Sequence, residues 1–145
     1  MQFEIHITVE SKDIEGWKAL CKKLFLKPLW IQNSKGWRSR QMLCAAGFSD
    51  SARNIHNERL GVRSHMKYLS DKINSVGFKV IRQKLKCGFR KMHSFLYNEC
   101  HIKITLPDSE NEAVLSFCEL NGISASWSLI HNVSGKRKWY LTVRD

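Results

Sequence analysis

Nothing in the 145 residues approaches a run of about 18 consecutive apolar side chains, so no helical membrane span is expected. The opening residues Met1, Gln2, Phe3 and Glu4 lack the basic head and apolar stretch of a secretory leader, so the sequence reads as soluble and cytoplasmic. Proline occurs only twice and glycine eight times, which excludes a collagen-like chain. Acidic residues are few: 13 Asp plus Glu stand against 24 Lys plus Arg, for a net charge of +11. The cysteines Cys21, Cys44, Cys87, Cys100 and Cys118 are odd in number and show no C-x-x-C spacing, so neither a disulfide framework nor a zinc knuckle is expected. They are expected to be reduced, mostly buried thiols. No glycine-rich phosphate loop or nucleophile elbow is present.

What remains is an ordinary globular composition, 43% hydrophobic and 26% charged, with a basic excess. Such an excess favours polyanions through long-range attraction and counterion release. Nucleic acid, nucleotides or an acidic protein are the partners it suggests, and no membrane.

Residues 3–9 alternate, with Phe3, Ile5, Ile7 and Val9 on one side and Glu4, His6, Thr8 and Glu10 on the other, the pattern of a half-buried strand. From Ser11, expected to cap, the period becomes helical, with Ile14, Trp17, Leu20, Cys21, Leu24 and Phe25 on one stripe ending before Pro28. Residues 29–32 and 37–45 read as a hairpin about the turn Asn33-Ser34-Lys35-Gly36. A breaker cluster at 47–51 is expected before a helix over 54–76, which Gly61 is expected to interrupt. Gly77 caps that helix and residues 78–87 form a strand. After a loop over 88–95, residues 97–106 alternate again, with Cys100, Ile102, Ile104 and Leu106 facing inward. Pro107-Asp108-Ser109 opens a helix carrying Ala113, Val114, Phe117, Cys118 and Leu120, and residues 123–130 and 138–143 are the last strands.

The second half repeats the first. Glu4-x-His6-Ile7 recurs as Glu99-x-His101-Ile102, 95 positions later. Cys21 matches Cys118 and Trp30 matches Trp127 at an offset of 97, and Asn33-x-x-Gly36 matches Asn132-x-x-Gly135 at 99. The fold expected is α/β in the α+β sense: duplicated βαββ units, ferredoxin-like, with antiparallel sheet and a central groove. Residues 1–47 form the first unit, 48–95 a bridging helix and strand, and 96–145 the second unit, together one compact domain.

Residues two apart share a strand face, so His6 lies beside Thr8, and His101 beside Glu99, Lys103 and Thr105. An imidazole titrating near neutral pH suits acid–base work, while Thr and Lys donors next to it suit a phosphate. Arg82, Lys84 and Lys86 form a basic stripe on one strand face, continued by Arg90 and Lys91. Lys35, Arg38, Arg40, Lys136, Arg137 and Lys138 gather at the two matched turns, with Trp37, Trp139, Tyr140 and Phe89 interleaved for base stacking. Trp30 and Trp127 are expected in the core. His56, His65, His93 and His131 show no metal-ligand spacing, so no metal site and no cofactor is expected.

The His6-Ile7-Thr8 motif resembles that of the two-histidine phosphoesterases, duplicated α/β proteins in which two His-x-Thr/Ser strand motifs face each other across a cleft. Those enzymes act on phosphodiesters without metal. The second motif here, His101-Ile102-Lys103, has lysine in place of the hydroxyl, with Thr105 one step further along the same face. The resemblance implies His6 and His101 as acid and base, with Thr8 and Lys103 as clamp. Glu99-Cys100-His101-Ile102-Lys103 also looks like the first strand of the triphosphate tunnel metalloenzymes, which would imply a divalent metal, but only Glu4, Glu10 and Glu99 are well placed to hold one. The function expected is binding of RNA or a nucleotide in a groove between the lobes, with phosphodiester or phosphoanhydride cleavage. The alternative is a non-catalytic basic module for nucleic acid or an acidic protein.

Overall fold

The computed structural model describes residues 2–35, 40–49, 55–87, 99–130 and 134–144. These form an α+β structure with strands β1 (Gln2–Glu10), β2 (Lys27–Asn33), β3 (Arg40–Ser49), β4 (Lys79–Cys87), β5 (Glu99–Pro107), β6 (Ser124–Ser128) and β7 (Lys136–Arg144). The helices are α1 (Ile14–Lys23), α2 (Ile55–Ser75) and α3 (Asn111–Leu120). Among the described residues no helix is long and apolar enough to cross a membrane. The chain forms two compact units, Met1–Leu29 with Met42–Arg90, and Trp30–Gln41 with Lys91–Asp145. The helix and strand expected to bridge the copies, α2 and β4, thus belong with the first.

In the first unit β1 lies between β3 and β4, antiparallel to both. Phe3, Ile5, Ile7 and Val9 are all buried, as their alternation requires. Burial of a side chain such as Ile5 or Ile7 contributes roughly 2 kcal/mol each. The helices supply the other side of this core: Trp17 and Cys21 of α1, and Val62, Leu69 and Ile73 of α2. Trp17 Nε1 donates to the Leu43 carbonyl at 3.2 Å, and Gln83 Nε2 of β4 to Ser70 Oγ of α2 at 2.8 Å, so the buried Trp17 indole and Ser70 hydroxyl are partnered.

Several local expectations are corrected here. Asp13 rather than Ser11 caps α1: its Oδ1 accepts from the Gly16 N–H at 2.9 Å, while Ser11 Oγ accepts from the Asp13 N–H at 3.0 Å. A cap must sit one step before the first helical residue, which is Ile14. The cluster at 47–49 does not break the chain; Gly47, Phe48 and Ser49 continue β3 opposite Glu4, Phe3 and Gln2, because ladder hydrogen bonds outweigh the weak strand propensity of glycine. Gly61 does not interrupt α2, since buried Val62, Leu69 and Ile73 anchor the turns that follow it. Asp50, Ser51, Asn54, Gly36, Asn132 and the loop over 88–95 lie outside the described residues.

In the second unit the strand order is β2-β6-β7-β5. Cys118, Ala125, Trp139 and Leu141 form the core, with Ile104, Leu106, Val114, Leu115, Ile123 and Trp127 packed on them. The inward side of β5 departs from expectation: Ile104 and Leu106 are half-buried, but Cys100 and Ile102 are exposed. Helix α3, ten residues and thus about 15 Å long, is half the length of this nine-residue strand of about 30 Å, and its Cys118 lies in the cluster that Ile104 and Leu106 pack against. Phe117 and Leu120 of α3, expected inside, are likewise exposed. A 3-10 turn over Asp108–Glu110 separates Pro107, which ends β5, from α3. Strand β6 pairs with β2 so that Ile31 lies opposite Ser128, and the Leu129 N–H donates to the Trp30 carbonyl at 2.7 Å.

Helices α1 and α3 end alike. Leu24, Phe25 and Leu26 donate to the carbonyls of Leu20, Lys22 and Cys21 at 3.0, 3.3 and 2.8 Å. Asn121, Gly122 and Ile123 donate to those of Phe117, Glu119 and Cys118 at 3.1, 3.3 and 2.8 Å. Each is a Schellman ending, which places its next-to-last residue in the left-handed region: Gly122 at φ 66° and Phe25 at φ 56°. Phe25 was expected on the buried stripe of α1 and is instead 97% exposed, because the reversal of backbone hand throws it outward. Left-handed backbone costs a residue with a Cβ about 1 kcal/mol or more. Phe25→Gly should therefore stabilise the protein by about 1 kcal/mol, read as a higher urea midpoint at unchanged m-value. An unchanged or lower midpoint would contradict a strained Phe25.

Candidate functional site

Directly opposite residues of an antiparallel pair project from the same face. His6 lies opposite Lys84 on β4 and Ala45 on β3; Glu4 lies opposite Lys86 and Gly47; Thr8 lies opposite Arg82 and Leu43. The His-x-Thr motif and the basic stripe, separate in the sequence, thus form one ladder face in the first unit. Arg82 is exposed and Lys84 and Lys86 are half-buried. On the β3 side the face is low: a Cβ built on Gly47 would meet nothing within 4 Å.

His6 Nε2 stands 3.2 Å from Glu4 Oε1, with the imidazole side chain only 18% exposed. Burial holds its pKa below the ordinary 6.5, the positive charge of Lys86 adds to the depression and Lys84 adds a little more, while the Glu4 carboxylate pulls the other way. The ring is therefore neutral at neutral pH. Thr8, expected to offer its hydroxyl to a phosphate, is buried, so the cations of β4 rather than Thr8 present donors there.

The matching pair in the second unit is built differently. His101 Nε2 stands 3.4 Å from Glu99 Oε2, His101 Nδ1 is 3.1 Å from Thr142 Oγ1, and Arg144 Nε donates to Glu99 Oε1 at 2.9 Å. Thr142 and Arg144 face them because β7 pairs with β5, a contact that sequence reading missed and that only the register reveals. Lys103 lies opposite Tyr140, and Thr105 opposite Lys138. His6 belongs to the first unit and His101 to the second.

The hairpin residues divide. Trp37 and Arg38 lie outside the described residues, as do Phe89, Arg90, Lys91, His93 and His131. Arg40 Nε donates to Gln32 Oε1 at 2.8 Å. Trp139, expected to stack on a base, is fully buried against Trp127, with ring centres 5.0 Å apart. Trp127 itself is half-buried, as is Trp30. The Arg137 guanidinium lies over both indoles, 4.9 Å from Trp127 and 5.5 Å from Trp139, a cation–π contact.

The thiols of Cys21 and Cys44 are buried together, and their mutual hydrogen bond pushes the Cys21 thiol upward, with burial adding to it, while the same hydrogen bond pulls Cys44 downward. Cys100, expected inside, is exposed. Among the described residues no group of three His, Cys, Asp or Glu side chains is placed to hold a metal ion. No protein-family model matches the chain, and no curated protein matches it significantly.

The depressed His6 pKa couples to folding. The unfolded chain takes up the proton near pH 6.5, whereas the folded chain does so only at lower pH, so stability is full above 6.5 and falls as the solution is acidified. The urea midpoint should drop between pH 7 and pH 5 in the wild type, and His6→Gln should flatten that slope. Parallel slopes in the two proteins would remove the coupling. Lys86→Met should move the His6 ring titration upward, read by NMR.

Proposed function

We propose that this chain binds a phosphate-containing ligand, RNA or a nucleotide, on the β1–β4 face of the first unit around His6. The observation that supports the reading is the cross-strand register that sets Lys84, Arg82 and Lys86 opposite His6, Thr8 and Glu4. Three cations against one carboxylate leave an excess of positive charge beside a neutral imidazole, and a phosphate dianion would relieve their mutual repulsion. The low β3 side, Ala45 and Gly47, gives a ligand room to approach.

The same imidazole is suited to phosphodiester or phosphoanhydride cleavage: a neutral ring accepts a proton from the attacking hydroxyl or water and returns it to the leaving oxygen. The rival reading, a basic module that binds nucleic acid or an acidic protein without turnover, is favoured by His101, whose ring is tied to Thr142 and Glu99 rather than left beside a row of cations.

We also infer that the two βαββ segments are copies of one unit, the first completed to a ferredoxin-like arrangement by α2 and β4. Their antiparallel ladders support this: β1 with β3 and β5 with β7, each carrying its Glu-x-His segment on the earlier strand. The shared helix endings support it too.

The test is wild type against His6→Ala, His101→Ala and Lys84→Ala, with cyclic-phosphate and linear oligonucleotides and nucleoside triphosphates, with and without EDTA. Binding should weaken with salt, and Lys84→Ala should lower the slope of log affinity against log salt by about 1. Cleavage that resists EDTA and falls about 100-fold or more in His6→Ala would establish the enzyme. Binding without turnover would establish the module, and an unaltered salt slope in Lys84→Ala would remove this face as the binding site.

A further inference from the structure

We propose that Phe25, with Lys22, Lys23 and Lys27 around it, is a docking point for single-stranded nucleic acid, one base stacking on the phenyl ring while the lysines hold the flanking phosphates. This goes beyond the His6 reading and stands whatever ligand that face takes.

Three observations meet at this point in the first unit. Phe25 sits at the end of α1 with φ 56°, a conformation that glycine adopts without strain and phenylalanine does not. It is 97% exposed, so the ring contributes almost nothing to the core in return. Lys22, Lys23 and Lys27 are exposed beside it, and residues 16–49 contain no aspartate or glutamate.

The end of α3 is an internal control. The same three backbone hydrogen bonds are made there with Glu119, Leu120, Asn121 and Gly122 in the places of Lys22, Lys23, Leu24 and Phe25, and Ser124 in the place of Lys27. A helix can therefore close this way without the aromatic ring and without the cations. Folding requires neither, and helix-dipole stabilisation by Lys22 and Lys23 does not account for Lys27, which lies beyond the helix.

An exposed aromatic ring with lysines on either side is the chemistry of strand-tolerant nucleic-acid binding. Every base has a π-face to stack, and flexible ammonium groups follow the phosphates without reading sequence. A paired duplex hides its base faces and offers the ring nothing.

The full-length protein is titrated with a fluorescein-labelled uridine oligonucleotide, with an RNA duplex of the same length, and with phosphatidylserine-containing vesicles. Phe25→Ala should weaken single-strand binding about tenfold and leave duplex binding unchanged. Phe25→Trp should retain the affinity and Phe25→Leu should lose it as alanine does. Tryptophan and leucine share the strained backbone and the exposure of phenylalanine, so the comparison isolates the aromatic ring from any effect on folding. Equal losses for single strand and duplex would overturn the proposal. So would Phe25→Leu binding like the wild type, or a Phe25 dependence confined to vesicles. Inorganic phosphate should shift the His6 ring resonances equally in wild type and Phe25→Ala, so failure at Phe25 and failure at the His6 face are told apart.

Discussion

A strand hydrogen-bonded on both sides has no choice about where its side chains go, and β1 is such a strand. With β3 and β4 antiparallel to it, a slip of one residue would turn Phe3, Ile5, Ile7 and Val9 out of the core and drive Glu4, His6 and Glu10 into it. Burial of the apolar row therefore pins the register, and the register in turn decides which residues of β4 stand beside the imidazole. The polar face around His6 is a by-product of the packing on the opposite side: the helices that bury Ile5 and Ile7 are what hold Lys84 across from His6.

The two Glu-x-His segments show how neighbours turn one motif into two chemistries. In β1 the partner strand contributes lysine and arginine, and burial with nearby positive charge keeps the ring neutral. In β5 the partner strand contributes threonine and arginine, and the ring joins a chain of contacts from Thr142 through Glu99 to Arg144. The short helix beside β5 also leaves Cys100 and Ile102 uncovered, whereas the corresponding apolar positions of β1 are closed over by two helices. What an imidazole does is set by the strand it pairs with, since charge and desolvation act over a few ångströms and the residues that supply them are distant in the chain.

The ends of α1 and α3 make the same comparison at the backbone. One hydrogen-bond pattern is filled by glycine in one place and by phenylalanine in the other, at φ values ten degrees apart. A side chain kept where the backbone disfavours it and where the core gains nothing from it points to a role at the surface. The helical stripe of α1 could not reveal this, because periodicity counts Phe25 as one more apolar residue and is blind to the turn that takes it out of register with the helix.

The sequence by itself determined the elements and their order: period-two alternation marked β1 and most of β5, the switch to helical spacing marked α1, and Gly77 marked the end of α2, because these signals are local and each residue carries its own preference. It also carried the repeated Glu-x-His segments and the basic stripe of β4. The tertiary structure alone decided that Arg82, Lys84 and Lys86 face Thr8, His6 and Glu4, that Thr142 and Arg144 hold the Glu99–His101 pair, and that Trp139 is core rather than a stacking surface. Those outcomes depend on which strands become neighbours and how much of each a helix covers. Both are settled by burying apolar area across the chain, a sum that no local window contains.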